Sequence, residues 1–490
     1  MRLKPLVLAL VLLASLGLAQ NLRERVRLYT LENGLRVIMV PDRTAPVIYF
    51  NLLSDYGGVD EPPGLGGLAH MVEHMAFKGT QSIGSRDWAK EQVALQAVET
   101  ARDALDAARK RNAAKEELDR LTAAFNKARE EAQALQQDSG FDDLFTRNGA
   151  QGLNASTGYD RTNYTVALPS NRLELYLRIY ADVLLNPVFR SFYEEADVVR
   201  EERRQRTEND PNGFLLENFL AAAYKVHPYG RPLIGSAEEI AGYRTAAALE
   251  LWRANYHPNR MVLAMVGDLE PERDIALVRK YFGAVPRGPN RPANPIPAEP
   301  PQTAERRVTV NFNAQPAMLI GFHKPTYPSR EAYVLDIVDA ILTDGRTSRL
   351  FRRMVTQDQV AANVSSSSGS PGIRFPNMFL FSIQPRAPKT PEDVEKALYE
   401  ELEKLKTELV SAEELQKVKA QTRVGYLRAL AGGSGLAFNL AFYEMFLGGW
   451  AKVLEEEQIY ASVTAEEIRE VARKYFTPEN RTVAILLPRR

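Results

Sequence analysis

Gly64-Leu65-Gly66-Gly67-Leu68-Ala69-His70-Met71-Val72-Glu73-His74-Met75 carries two of the chain's five histidines, four residues apart, with a carboxylate between them. On a helix, positions i and i+4 lie one above the other and i+3 flanks them. Both imidazoles can therefore grip one metal ion while Glu73 points at the same spot. Gly64 to Gly67 gives such a helix a flexible entry, and Leu68, Met71, Val72 and Met75 give it an apolar side. The plain alternative is two ordinary histidines on a half-buried helix. In a chain so poor in histidine, the spacing favours a metal site.

At 490 residues the chain exceeds one ordinary core, so two or more domains are expected. Charged residues make up 25% and apolar ones 45%, the profile of a globular protein. Lys+Arg and Asp+Glu both total 62, which points away from nucleic acid and from strong membrane association. There is no cysteine, so disulfides, thiolate metal sites and cysteine nucleophiles are excluded. Any metal must be held by His, Asp or Glu.

Residues 1–19 read as a signal peptide: Arg2 and Lys4 form a basic start, Leu6 to Leu16 an apolar run, and Gly17-Leu18-Ala19 a cleavage site before Gln20. Its removal leaves 60 basic against 62 acidic residues, a net charge of about −2. The expectation is an exported protein, periplasmic or extracellular.

Val26 to Tyr29 and Leu35 to Val40 flank Glu32-Asn33-Gly34, a strand–turn–strand signal, and Pro46 to Leu53 reads as a third strand leading to the histidine helix. From Trp88 to Gln137 the composition shifts to Ala, Glu, Lys, Arg and Leu, with Leu95, Val98, Leu105, Leu118, Leu121, Phe125 and Leu135 at helical spacings. Two antiparallel helices bent near Arg111-Asn112 are expected to form a projecting hairpin. Such a hairpin is a solvated insertion or, in the sharper reading, a docking arm. Leu173 to Leu185 and Phe192 to Glu208 predict further helices. Seven prolines between Pro286 and Pro301 predict an extended connector. On each side of it the chain ends alike. Leu251 to Arg260 precedes the apolar strand Met261 to Val266, and Val471 to Arg481 precedes Val483 to Leu487. Two copies of one α+β domain account for this echo, each an antiparallel sheet packed with helices.

A catalytic zinc usually takes three protein ligands, so a third must come from elsewhere. The helix containing Glu194 to Glu202 is the best candidate. Two turns place Glu195 and Glu202 on one face, so Glu202 can reach the metal with Glu195 beside the site, and Glu201 should face away. Spacing alone leaves a charged, solvent-facing helix favoured.

Gly67 to Thr80 resembles the active helix of the insulinase/pitrilysin (M16) family of zinc peptidases, in its processing-peptidase-like branch. The similarity continues at Leu153-Asn154-Ala155-Ser156-Thr157, at Asp160 and Thr162-Asn163-Tyr164, at the Glu195 to Glu202 helix, and at His227-Pro228-Tyr229-Gly230-Arg231-Pro232. The resemblance implies a zinc endopeptidase with one Zn2+ per chain. His70, His74 and Glu202 would be its ligands, Glu73 the general base toward a metal-activated water, and Glu195 a support to the ligand shell. It also implies that Asn154, Ala155, Ser156 and Thr157 form an edge strand that binds substrate peptide through main-chain hydrogen bonds. The implied organisation is a catalytic M16-like domain over 20–285 containing the 88–137 hairpin, a linker over 286–303, and a second M16-like domain over 304–490 without the zinc motif.

Family members that act alone carry an Arg and a Tyr, seven residues apart, in the second half. The corresponding stretch here, Val355 to Ala362, has Val and Ala at those places. A homologous M16-like subunit supplying the pair, or a homodimer, is therefore expected. The rival class is a non-catalytic scaffold or assembly subunit, which would have no need for His70, Glu73, His74 and Glu202 together. Gly432-Gly433-Ser434-Gly435 lacks the flanking strand and Lys-Ser/Thr of a phosphate loop and reads as a flexible turn.

Overall fold

The computed structural model describes residues 22–137, 140–290 and 296–489. The expected signal peptide, and Pro292 and Pro295 of the connector, lie outside the described residues. Six strands form the first sheet: β1 (Arg27–Thr30), β2 (Arg36–Pro41), β3 (Val47–Ser54), β4 (Gln151–Thr157), β5 (Thr162–Pro169) and β6 (Met261–Gly267), in the order β1-β2-β6-β3-β5-β4. The second holds β7 (Arg306–Phe312), β8 (Ala317–Lys324), β9 (Ala361–Ser370), β10 (Asn377–Pro385) and β11 (Arg481–Pro488), in the order β7-β11-β8-β10-β9. Without β1 the two orders are identical, so the protein contains the same α+β unit twice.

Neither sheet is purely antiparallel. The last strand of each half returns from a helix and inserts between two strands that run in opposite directions. It must then be parallel to one of them, as β6 is to β2 and β11 to β7.

Helix α1 (Leu68–Met75) follows β3 and carries the His70–His74 motif. Helices α2 (Trp88–Lys110) and α3 (Lys115–Gln133) form the hairpin, which turns through Asn112 at positive φ. It does not project freely. Val98, Leu105, Phe125 and Ala132 are buried in the main core. Its charges pair with the body: Tyr193 donates to Glu99 at 3.0 Å, Arg129 to Glu194 at 2.7 Å and Arg244 to Asp106 at 2.8 Å. The hairpin thereby lies against helix α4 (Phe192–Arg203).

Each half also lends a helix to the other. Helix α5 (Pro211–Ala223), from the first half, covers the second sheet, packing Leu215, Phe219 and Leu220 on Leu319, Met378, Ala484 and Leu486. Helix α6 (Gly433–Phe446), from the second half, covers the first sheet, packing Leu436, Ala437 and Leu440 on Ile38, Leu53 and Val262. The Gly432–Gly435 run caps and begins α6 rather than forming a free turn, and a Cβ on Gly433 would sit 2.2 Å from the Tyr49 ring. Burying an apolar side chain of Leu or Phe size contributes roughly 1.5–3 kcal/mol, so this exchange joins the halves strongly. A polar clasp adds to it. Asp160 accepts from the backbone N–H groups of Ile373 and Arg374, Tyr229 donates to Asp160 at 2.6 Å, and Arg374 donates to both oxygens of Asp60.

Candidate metal centre

Helix α1 begins where two carboxylates hold its entry. Glu61 accepts from the N–H groups of Gly67 at 2.9 Å and Ala69 at 2.6 Å, and Glu239 accepts from Gly66 at 2.9 Å. Gly67 sits at φ +78°, and a Cβ there would strike the Ile234 carbonyl, so only glycine fits. Burial pushes Glu61 up to about 8 even though two N–H donors pull against it.

From this fixed start His70 and His74 project on one face, ring centroids 4.7 Å apart. Helix α4 delivers Glu202 opposite them. Its Oε2 lies 3.7 Å from His70 Nε2 and 3.6 Å from His74 Nε2. These separations are too long for hydrogen bonds. They are close to the edge of a tetrahedron about a small divalent ion, about 3.4 Å for legs of about 2.1 Å. Among the described residues, His70, His74 and Glu202 form the group whose ligand atoms all lie within 4.8 Å of one another, and these three could hold such an ion. Burial, with His74 adding to it, pushes His70 down to about 3, which keeps its ring neutral and its lone pair available.

Glu195, two turns before Glu202, accepts from His74 Nδ1 at 3.0 Å and pairs with Lys78. Burial opposes its ionisation, but the His74 and Lys78 contacts outweigh that and bring it down to about 2. Burial likewise lowers His74, and the Glu195 carboxylate overcomes this to leave the ring above its ordinary value. Glu201 is exposed and bonds Arg204. Past Glu202 the helix widens into one π-turn, Arg204–Glu208, and Arg206 reaches back to Glu202 Oε1 at 2.9 Å.

Glu73 lies between the histidines, buried, with Oε2 accepting from Thr157 Oγ1 at 2.6 Å. Burial raises its pKa and this hydrogen bond lowers it, burial being the stronger. Thr157 ends β4, whose one neighbour is β5, so β4 is the open edge of the first sheet. Leu153, Ala155 and Thr157 turn toward α1, and Asn154 and Ser156 are exposed on the other face. A cleft of about 620 Å³ lies along the α1 side, lined by Glu73, His74, Lys78, Asp142, Leu153 and Ala155.

The structure thus brings together His70, Glu73, His74, Glu195, Glu202 and the Asn154–Thr157 strand. Sequence reasoning missed Glu61 and Arg206. Arg206, four residues after Glu202, could have been found by its i,i+4 spacing; nothing in the spacing of Glu61 marks it. In the second half, Val355 lies in the π-turn Phe351–Gln357 and Ala362 on β9, which occupies β4's place in its sheet. The helix after β8, Arg330–Thr343, follows its strand as α1 follows β3 and bears Asp336 and Asp339. Both accept from serines of β9, and Lys324 is buried nearby.

The family model described as Insulinase (Peptidase family M16) matches residues 36–98 and 134–237, and that described as Peptidase M16 inactive domain matches residues 246–422. The chain belongs to the M16 family. The gap in the first match, residues 99–133, falls within the hairpin, whose first turns are matched. The second span contains none of His70, Glu73, His74 and Glu202. Relatives of this M16 chain are named zinc proteases. The zinc protease PqqE of Helicobacter pylori is 26% identical over 98% of this chain and 98% of its own length. An uncharacterised zinc protease of Mycobacterium tuberculosis is 26% identical over 91% and 89%. Among solved structures, a protease from Helicobacter pylori superposes with a TM-score of 0.78 at 24% identity, covering 94% of this chain and 99% of that one. The first half of the periplasmic protease PqqL from Escherichia coli superposes with a TM-score of 0.67 at 19% identity, covering 95% and 92%. Among the described residues no helix is long and apolar enough to cross a membrane.

Proposed function

We propose that this chain is a zinc-dependent endopeptidase acting on peptides or unfolded segments, with His70, His74 and Glu202 holding one zinc ion and Glu73 as general base. The observation that carries the reading is the convergence of Glu202, 128 positions beyond His74, onto both imidazoles at tetrahedral-edge distances. Zinc, when bound, supplies Lewis acidity that polarises the scissile carbonyl and acidifies water. Glu195 fixes His74 by accepting its Nδ1 proton, so that Nε2 faces the ligand cluster. Glu73, held by Thr157, takes a proton from the attacking water and returns it to the leaving amine. The open edge of β4 takes the substrate backbone as an added strand through main-chain hydrogen bonds that are indifferent to sequence.

Val355 and Ala362 stand where family members that act alone have Arg and Tyr. The proposal therefore includes a homologous M16-like subunit, or a second copy of this chain, that completes the site. It also includes export, on the basic and apolar start of the sequence and on the likeness to a protein named as periplasmic. The test is Glu73→Gln. The variant should retain zinc and lose peptide cleavage, with or without the completing subunit. Undiminished cleavage would refute the assignment of the base.

A further inference from the structure

A peptide added to the edge of β4 would present alternate side chains to opposite faces of the sheet. One set enters the cleft beside His74. The other set meets a surface on the α6 side, which the mechanism does not use. Cross-strand pairing fixes what lies there. Ser156 opposes Asn163, and Asn163 opposes Leu53, which packs under α6. Ser156 donates to Asn163 Oδ1 at 2.8 Å, and so does Arg161 Nη1 at 3.0 Å. The Arg161 guanidinium lies over the Phe438 ring of α6, 4.8 Å from its centroid, and 6.0 Å from that of Phe442. Those two rings are stacked and half-buried.

Arg161 makes no ion pair among the described residues. The adjacent Asp160 is occupied by Tyr229 and the Ile373 and Arg374 amides. A half-buried guanidinium has five N–H donors, and here one is engaged by a neutral amide oxygen. The aromatic rings orient its plane without neutralising its charge. Ser156 is small and exposed, leaving the approach from the strand edge open.

From this geometry we infer that Arg161, mounted on Phe438 and Phe442, selects an acidic side chain in the peptide, at a position whose side chain points away from the metal face. The inference rests on the reading of β4 as the substrate edge and adds a charge preference to it. The second half thereby takes part in substrate selection through α6.

The test is binding of fluorescent peptides to the full-length, zinc-loaded Glu73→Gln chain, followed by anisotropy. The peptides are identical apart from one position scanned with Glu or Lys. At one position Glu should bind about tenfold more tightly than Lys, the ordinary worth of a partly desolvated charge pair. Arg161→Gln should abolish that preference and Arg161→Glu reverse it. Equal affinities at every position, absence of binding, or a preference unchanged in Arg161→Gln would overturn the assignment. Cleavage is scored separately with the wild-type chain. A preference that follows Arg161, with no Glu73-dependent cleavage either alone or with the completing subunit, would sink the peptidase reading and leave the acidic subsite standing.

Discussion

Glu91 and Arg190 bolt the helical hairpin to the loop that follows the metal helix, and replacing Glu91 with Leu is expected to loosen the first domain. Glu91 has 0% exposure and Arg190 2%. Arg190 Nε and Nη2 donate to the Glu91 carboxylate at 2.7 and 3.1 Å, and the remaining donors reach the carbonyls of Lys78, Thr80 and Ile83 at 2.7–3.0 Å. Breaking a buried pair by removing one partner costs about 3–5 kcal/mol, because the other charge is left uncompensated. The three carbonyls still solvate the guanidinium, so Glu91→Leu belongs near the lower figure, about 3 kcal/mol. Arg190→Met should cost more. It strands the Glu91 carboxylate and takes a donor from the Lys78 and Thr80 carbonyls, each unsatisfied buried group adding about 1–3 kcal/mol, while the Ile83 carbonyl keeps the Thr80 N–H. The double variant should be no worse than Arg190→Met alone, giving a large coupling energy. Denaturant unfolding followed by tryptophan fluorescence measures this, with Trp88 about 6 Å from the Arg190 guanidinium as a local reporter. A loss below about 1 kcal/mol for Glu91→Leu, the range of exposed pairs, or a milder effect for Arg190→Met, would mean that this pair does not hold the hairpin in place.

Two further outcomes follow from the same contacts. Glu195→Gln removes the charge that orients His74 and pairs with Lys78, and should weaken zinc binding by about 10–100-fold in a chelator competition while the fold is retained; unchanged affinity would remove Glu195 from the site. Thr157→Val deletes a hydrogen bond that favours the ionised form of Glu73, whose pKa burial already raises. Since the base must be ionised to act, the acidic limb of the pH profile of kcat/KM should move to higher pH, and a limb that stays or moves down contradicts the role of that contact.

Much of this architecture was readable in the residues. Asn33-Gly34 marks the β1–β2 turn, with Gly34 at φ +89° and the Asn33 amide bonded to the carbonyls of Phe282 and Val285. The histidine helix, the two-turn spacing of Glu195 and Glu202, and the echo of strand endings all reflect local periodicity, which a sequence displays directly. What it hid depends on distant partners. Arg129, Glu91 and Glu99 look like surface charges of a free hairpin, yet their partners Glu194, Arg190 and Tyr193 lie far along the chain. The exchange of α5 and α6 was hidden because an apolar helix does not disclose which sheet it covers. Gly432–Gly435 read as a turn because the reason for Gly433 is contact with Tyr49, nearly 400 positions earlier. Glu61 was silent because its work, holding two N–H groups at the start of α1, leaves no spacing pattern.

Whether His70, His74 and Glu202 hold a zinc ion is read by metal analysis of the purified chain after dialysis, in parallel with His74→Ala and Glu202→Ala. One zinc per wild-type chain is expected, and next to none in either variant. A wild-type chain that binds no zinc, or a Glu202→Ala chain that holds it as tightly as the wild type, would contradict that ligand set.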